Sequence, residues 1–408
     1  MMSYPSGTYP VAGPLNGIKI IAFEHAWAAP YGTMMLADMG ADVVKVEPPG
    51  TGDHVRAWTR NDLDGLSPHF LAVNRNKRSI VLDLKSPEGL ATAKRLIAEA
   101  DAVVENFSPG VMRKLGLDYD TLTESHPDLV YCSVSGFGET GPYSDRRAYD
   151  LLIQAEGGLL SVTGTDEESP AKVGTAVVDV LAAMVAAFSV ASALRGKEAL
   201  GQGRYIDVSM LDVAASTMAF NIFSYGLSGV MPKPIGTAHP LLAPYEVYST
   251  ATTPVAIAIL TEAHWATFCS VLEREDLCTQ TEFATAPMRV SNRELLNEQL
   301  RPIFDKWDGP ELVDTLAGAG LACASVNDVA AILEHPQLHD RDFFSEWNVR
   351  GHDLIAPGAP WRMTGNAKQP QDRLPADRPG QHTADILRDW IGADSAEIDD
   401  LSARGALG

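Results

Sequence analysis

An aspartate at the start of a long apolar stretch is a candidate for chemistry in this sequence. Asp179 precedes residues 180–194, an alanine-rich run without proline or glycine that predicts a buried helix. An aspartate at such a boundary commonly caps the helix by accepting a backbone N–H. The partial positive charge of a helix start also keeps a carboxylate ionised and stabilises an anion formed beside it. Asp179 can therefore serve both as a cap and as a nucleophile.

Two further segments contain residue types suited to binding an anionic ligand. Lys77 and Arg78 directly precede a predicted strand at residues 79–82, where they either hold a phosphate or form part of a solvated surface. Residues 105–110 (E-N-F-S-P-G) follow another predicted strand, and open α/β sheets bind ligands at the carboxyl ends of their strands. The alternative for this second segment is an ordinary turn between a strand and a helix.

The elements that must position these residues alternate along the first half of the chain. Strands are predicted at residues 18–23, 42–47, 102–105, 129–134 and 204–209. Pro30 opens one predicted helix, and Ser86 caps another. This alternation is typical of a parallel sheet covered by helices. Residues 230–244 contain four prolines and predict a linker, after which a separate strand and two amphipathic helices indicate a smaller second domain.

Composition excludes several classes of function. The chain has 408 residues, enough for two domains, and a formal net charge of −21, whose field repels nucleic acid. Its four cysteines lie far apart and none has metal-ligand spacing, so we expect free thiols and no metal site. We recognise neither a leader sequence nor an uninterrupted apolar run of about 18 residues. The sequence therefore predicts a cytoplasmic protein that binds neither nucleic acid nor membranes.

Several blocks in the same order resemble the class III CoA-transferases, the family that includes formyl-CoA transferase and carnitine CoA-transferase. The resemblance runs through almost the whole chain, and Asp179 falls where the family has its nucleophile. The blocks are P-L-N-G-I-K-I at 14–20, L-A-D-M-G-A-D-V-V-K-V-E at 36–47, N-R-N-K-R-S-I at 74–80, V-E-N-F at 104–107, G-F-G at 136–138, A-Y-D at 148–150, G-Q-G-R at 201–204 and G-Q-H-T at 380–383.

The resemblance implies an α/β fold whose large Rossmann-like domain is built from both chain ends. Residues 1–225 would form its first part, residues 226–326 a smaller α+β domain, and residues 327–408 the return to the large domain with a C-terminal tail. Two ring-shaped chains of this family interlock into a homodimer. The residues implied to line the CoA nucleotide pocket, the last two near the adenine, are Asn76, Lys77, Arg78, Asn106, Phe107, Arg113 and Leu115.

The implied chemistry suits a single carboxylate. Asp179 would attack an acyl-CoA thioester, form a mixed anhydride, and then be converted by the released thiolate to an aspartyl-CoA thioester. An acceptor carboxylic acid would take the CoA by the reverse steps. A nucleophile with a pKa near 4 needs no general base, and coenzyme A is a substrate, so no permanently bound cofactor is expected.

Two other functions remain open. An α-methylacyl-CoA racemase shares the fold but carries G-H-D where this chain has A-Y-D, and Tyr149 is a poor substitute for a base with a pKa near 7. Glu262 lies about where racemases keep a catalytic glutamate, and its alternative is an exposed loop carboxylate. A non-catalytic acyl-CoA-binding protein would have no use for Asp179.

The resemblance also suggests residues of the acyl pocket. Trp27 stands where formyl-CoA transferase has a glutamine, and Trp27 and Tyr149 either line this pocket or are core aromatics. Arg147 and Lys172 lie close in sequence to the catalytic segments and could hold a second carboxylate, which suggests a dicarboxylate substrate. Residues 259–264 lack the glycine-rich loop of formyl-CoA transferase, which argues against formate or oxalate.

Overall fold

The computed structural model describes residues 13–59, 64–363 and 373–407. The chain divides into two compact units. The larger contains the described parts of Met1–Leu159, Val173–Leu227 and Phe343–Gly408, and the smaller contains Leu160–Lys172 and Ser228–Asp342. Relative to the boundaries expected from the sequence, the smaller unit extends past residue 326 and takes in Leu160–Lys172. The extension reflects two short helices that follow the last strand of the smaller unit.

A six-stranded parallel sheet forms the centre of the larger unit. Its strands are Lys19–Phe23 (β1), Asp42–Glu47 (β2), Arg78–Val81 (β3), Ala102–Glu105 (β4), Val130–Ser135 (β5) and Arg204–Ser209 (β6). Their order in the sheet is β3-β2-β1-β4-β5-β6, and every neighbouring pair is parallel. The predicted α/β class is therefore confirmed. The strand order reverses between β1 and β4, and such a reversal opens a crevice at the carboxyl ends of the two strands.

Helices cover both faces of this sheet. One face packs against the first and the longest helix around a core that includes Ile20, Val43 and Ala182, and the other packs around Ile21, Val44 and Leu96. The helices up to residue 228 are Pro30–Asp38 (α1), Pro68–Ala72 (α2), Pro87–Ala98 (α3), Val111–Leu115 (α4), Tyr119–Thr123 (α5), Asp150–Glu156 (α6), Val177–Leu200 (α7), Met210–Thr217 (α8) and Ala219–Ser228 (α9).

Helix α7 begins earlier than its apolar run predicted. Ala176 holds the N-cap position, so Asp179 is the third residue of the helix, and its predicted role as the cap is wrong. The helix is long and apolar enough to cross a membrane, but its buried residues, among them Val178, Ala186 and Val190, pack on the sheet. Gly32 of α1 lies so close to α7 that a Cβ at this position would be 2.6 Å from the carbonyl oxygen of Ala183.

The smaller unit has its own three-stranded antiparallel sheet and its own core. Strands Tyr245–Tyr248 (β7), Val255–Ala258 (β8) and Ala322–Ser325 (β9) pair in the order β7-β8-β9. Phe268, Phe283 and Phe304 are fully buried beside this sheet. The helices are Glu262–Val271 (α10), Asp276–Thr279 (α11), Ala286–Ser291 (α12), Arg293–Phe304 (α13), Gly309–Gly318 (α14), Val329–Leu333 (α15) and Pro336–Asp340 (α16).

The chain end returns to the larger unit. It forms the hairpin Phe344–Val349 (β10) and His352–Pro357 (β11), then helices Thr383–Ile391 (α17) and Ser395–Ala403 (α18). The G-Q-H-T block covers the edge strand β3, because the His382 N–H donates to the Ser79 carbonyl at 3.0 Å and the Ser79 N–H donates to His382 Nδ1 at 3.1 Å. Covering an edge strand protects it from pairing with other chains. Residues 364–372, within the segment expected to return to the large domain and form the C-terminal tail, lie outside the described residues.

Candidate active site

The loops that follow β1 and β4 bound the crevice between these strands, and the amide side chain of Asn106 joins them. Asn106 Oδ1 accepts the His25 N–H at 2.9 Å, and Asn106 Nδ2 donates to the His25 carbonyl at 2.9 Å. The Phe107 ring stacks on the His25 ring with centroids 5.8 Å apart. The E-N-F segment therefore does more than form a turn, because it fixes both loops at the edge where open sheets bind ligands.

Lys77 and Arg78 are buried and paired with carboxylates. Lys77 Nζ donates to Glu24 Oε1 at 2.6 Å, to the Pro30 carbonyl at 2.7 Å and to Asn74 Oδ1 at 3.0 Å, which occupies all three ammonium protons. Arg78 bonds to Asp42 and, at 2.7 Å, to Asp389. The alternative of a solvated surface is therefore wrong. Contact with CoA stays a prediction for both residues, and a phosphate would have to compete with these carboxylates.

Three other residues expected near the nucleotide differ from Lys77 and Arg78 in their contacts. Asn76 has a left-handed backbone (φ 64°), and its side chain accepts the Arg373 N–H at 2.7 Å. Leu115 packs against the core beside α3 and α4. Arg113 is exposed, and its guanidinium lies 3.4 Å from Asp120. An exposed arginine whose ion pairs are as long as these, 3.4 Å to Asp120 and 3.8 Å to Asp118, can turn to an incoming phosphate at little cost.

A buried ion network beneath the β1–α1 loop was not predicted from the sequence. Lys45 Nζ lies 2.9 Å from Asp53 Oδ2 and donates to the Glu24 carbonyl at 3.1 Å. Burial would raise the pKa of Glu24, but Lys77 and Lys45 outweigh it and lower that pKa. Burial lowers the pKa of Lys77 to about 8, although Glu24 opposes the shift. The only sequence signal was the alternation of Lys45 and Glu47 with valines in β2.

Asp179 lies partly buried at the start of α7, and a second carboxylate caps its helix. Asp150 Oδ1, from α6, accepts the N–H of Val178 at 2.8 Å and that of Asp179 at 3.3 Å. Burial and then the negative charge of Asp150 raise the pKa of Asp179 to about 7. A carboxylate with a raised pKa is the more basic one, and basicity favours nucleophilic attack once the group is ionised.

This raised pKa predicts the pH dependence of catalysis. Only the ionised carboxylate attacks, so we expect kcat/KM for acyl-CoA to fall as the pH drops through about 7 and to level off above it. An ordinary aspartate would keep its activity down to about pH 4. The measurement is kcat/KM between pH 5 and 9 in buffers of constant ionic strength, and a flat profile down to pH 5 would contradict the assignment.

The residues suggested for the acyl pocket belong to both units. Tyr149 immediately precedes α6 and is 63% exposed, so its alternative role as a core aromatic is wrong. Trp27 is partly buried and lies parallel to Tyr31 with ring centroids 6.4 Å apart. The close approach at Gly32 holds the loop of Trp27 beside the half of α7 that carries Asp179. Arg147 is exposed in the larger unit, and Lys172 is exposed in the smaller one.

Glu262 is held in a local ion pair of the smaller unit. Its carboxylate bonds to Arg289 at 2.9 and 3.1 Å and accepts the Ala286 N–H at 3.0 Å. The hydrogen bond from Arg289 lowers the pKa of Glu262. A carboxylate in this state is a weak base, which disfavours the role that a racemase would require.

Comparison with known proteins finds a matching protein family, similar sequences and a similar solved structure. Residues 15–383 match the family described as CoA-transferase family III. Succinyl-CoA:mesaconate CoA-transferase of Haloarcula hispanica is 35% identical over 401 residues, 95% of this chain and 100% of that protein. Succinyl-CoA:glutarate CoA-transferase of Homo sapiens is 31% identical, covering 97% of this chain and 90% of that protein. A CAIB/BAIF family protein from Brucella suis superposes with a TM-score of 0.83 at 34% identity, covering 93% of this chain and 100% of that one.

Proposed function

Because the chain belongs to CoA-transferase family III and is a CoA-transferase, we propose that it moves coenzyme A between dicarboxylic acids through covalent catalysis by Asp179. The observation that carries the proposal is the partly buried carboxylate of Asp179 at the start of α7, with the charge of Asp150 beside it. This environment makes the Asp179 carboxylate reactive and still allows it to ionise at neutral pH.

The proposed reaction proceeds by four carbonyl substitutions. An Asp179 oxygen attacks the thioester carbonyl and the CoA thiolate leaves, which gives a mixed anhydride. The thiolate attacks the aspartyl carbonyl, forms the aspartyl-CoA thioester and releases the donor carboxylate. The acceptor carboxylate attacks that thioester and again expels the thiolate. The thiolate then attacks the acceptor's acyl carbonyl, which yields the new acyl-CoA and regenerates the Asp179 carboxylate.

The substrate assignment rests on relatives and on the exposed cation of Arg147. The two relatives above are named for transfer from succinyl-CoA to mesaconate and to glutarate, both dicarboxylates. In our proposal Arg147 binds the second carboxylate, while Trp27 and Tyr149 line the acyl pocket. The pocket for the nucleotide lies at the β1–β4 crevice, with Arg113 as the phosphate contact that needs the least rearrangement.

We further propose that the protein acts as an interlocked homodimer in the cytoplasm, without a permanent cofactor and without a membrane or nucleic-acid partner. Support for the homodimer comes from large apolar side chains that are exposed on α7 and α9, namely Phe188 (74%), Phe223 (71%) and Leu227 (89%). Exposed apolar side chains in such number favour burial against another protein surface.

A donor and acceptor panel tests the function. We expect succinyl-CoA with mesaconate, glutarate or a related dicarboxylate to give a new thioester, detected by its mass. A racemase would instead exchange the α-proton of a 2-methylacyl-CoA in D₂O, whereas attack at the carbonyl breaks no C–H bond. Enzyme-dependent deuterium uptake without carboxylate-dependent CoA transfer would overturn the proposal, and transfer restricted to monocarboxylates would overturn its substrate class.

A further inference from the structure

Asp150 is surrounded by hydrogen-bond donors. Besides the two backbone N–H groups at the start of α7, it accepts a hydrogen bond from Gln154 Nε2 to Oδ2 at 2.5 Å. Three donors stabilise the ionised form of a carboxylate. Asp150 and Asp179 therefore differ in their surroundings: three donors bond to the Asp150 carboxylate, whereas burial and the charge of Asp150 raise the pKa of Asp179.

Gln154 is completely buried and connects Asp150 to the segment that leads into α7. Its Oε1 accepts the Val173 N–H at 3.0 Å while its Nε2 donates to Asp150. One side chain thus fixes the orientation of the Asp150 carboxylate and the position of the chain four residues before Val177. Burying an amide is unfavourable unless its polar atoms are paired, and here both atoms have partners.

We propose that Gln154 and Asp150 are positioning residues for the reaction: Gln154 holds Asp150 as a fixed negative charge beside Asp179, and the repulsion between the two carboxylates is relieved when Asp179 becomes acylated. The inference rests on the proposed function of Asp179. In the mixed anhydride and in the aspartyl-CoA thioester the Asp179 side chain is neutral, so both covalent states escape a repulsion that the free enzyme carries.

This repulsion requires that the charge of Asp150 acts on Asp179. Asp150 is the described charged group whose field raises the pKa of Asp179, after burial itself. Helix α7 packs against α1, α6, α8, β5 and β6. The other titratable groups on these elements and on α7 are Tyr31, Asp38, Tyr131, Cys132, Glu156, Arg195, Lys197, Glu198, Arg204, Tyr205, Asp207 and Asp212.

The test separates charge from hydrogen bonding. Asp150→Asn removes the charge but places an amide against the Gln154 amide. The double variant Asp150→Asn/Gln154→Glu restores complementarity, because the amide introduced at position 150 can donate to the carboxylate introduced at position 154. That carboxylate can still accept the Val173 N–H, and the negative charge has moved from position 150 to position 154. The readouts are the pH profile of kcat/KM, kcat at pH 8.5 and the melting temperature.

In Asp150→Asn we expect the acidic limb of the kcat/KM profile to lie at least about one pH unit below that of the wild type. We also expect kcat at pH 8.5 to fall about tenfold. In the double variant the melting temperature should return toward that of the wild type, while the limb and kcat stay displaced. A wild-type limb and wild-type kcat in the double variant would overturn the inference, and this variant decides the question if Asp150→Asn does not fold. Covalent labelling of Asp179 in the wild type tests the proposed function separately. Failure of the proposed function can therefore be distinguished from failure of the inference about Asp150 and Gln154.

Discussion

Asp179→Asn is expected to lower the rate of CoA transfer by at least about 10⁴-fold, since no other group is assigned to carry the acyl or the CoA moiety. The substitution is nearly isosteric at a partly buried position, so we expect binding of CoA to change by less than about threefold. Initial rates of thioester transfer and a direct CoA-binding measurement check both parts. Asp179→Ala should lose activity to the same extent.

A matched control is available on the neighbouring helix. Asp212 is the third residue of α8, as Asp179 is of α7, but it is exposed. Asp212→Asn should keep transfer within about twofold of the wild type, because an aspartate in a first helical turn is ordinarily worth only about 0.3–1 kcal/mol. Transfer by Asp179→Asn at a rate similar to that of Asp212→Asn would remove Asp179 from the mechanism.

Lys77→Met is expected to destabilise the protein by about 3–5 kcal/mol, because it leaves Glu24 buried without its closest cation. The corresponding fall in melting temperature is about 10 °C. Lys85→Met removes an exposed lysine and should leave the melting temperature within about 1 °C. The double variant Lys77→Met/Glu24→Gln should recover part of the loss, since both charges are then absent.

The same variants separate a structural role from contact with coenzyme A. If Lys77 binds a CoA phosphate, Lys77→Met should raise KM for acyl-CoA by about ten- to a hundredfold. If the lysine acts only through Glu24, KM should change little at a temperature where the variant is folded. An unchanged melting temperature together with a raised KM would contradict the network described above.

Local features of the sequence predicted the sheet and the family well. The predicted strands at 42–47, 102–105 and 204–209 coincide with β2, β4 and β6, because short runs of β-branched residues between turns are a local signal. Ser86 caps α3 as predicted, accepting the Gly89 N–H at 3.0 Å. The match over residues 15–383 confirms the resemblance to class III CoA-transferases.

The contacts that define the site are not local. The carboxylate that caps α7 belongs to Asp150, 28 residues before Val178 in the chain, so the sequence suggested Asp179 itself as the cap. Glu24 and Lys77 are 53 residues apart, so their pairing is a tertiary contact that neither local sequence indicates. A basic pair such as Lys77-Arg78 has the same local appearance whether it faces solvent or a buried carboxylate. Gln154 gave no signal at all, because its role depends on a partner outside its own helix, the Val173 N–H 19 residues further along the chain.

Trapping the covalent intermediate tests the central claim most directly. Wild-type enzyme incubated with an acyl-CoA and hydroxylamine should acquire a hydroxamate at Asp179, since hydroxylamine attacks an activated aspartyl carbonyl in either covalent state. Peptide mass spectrometry locates the modification, with enzyme and hydroxylamine but no acyl-CoA as the control. We predict a mass increase of about 15 Da on the peptide containing Asp179, dependent on acyl-CoA and absent from Asp179→Asn. Acyl-CoA-dependent modification at another residue, with Asp179 unmodified, would contradict the account.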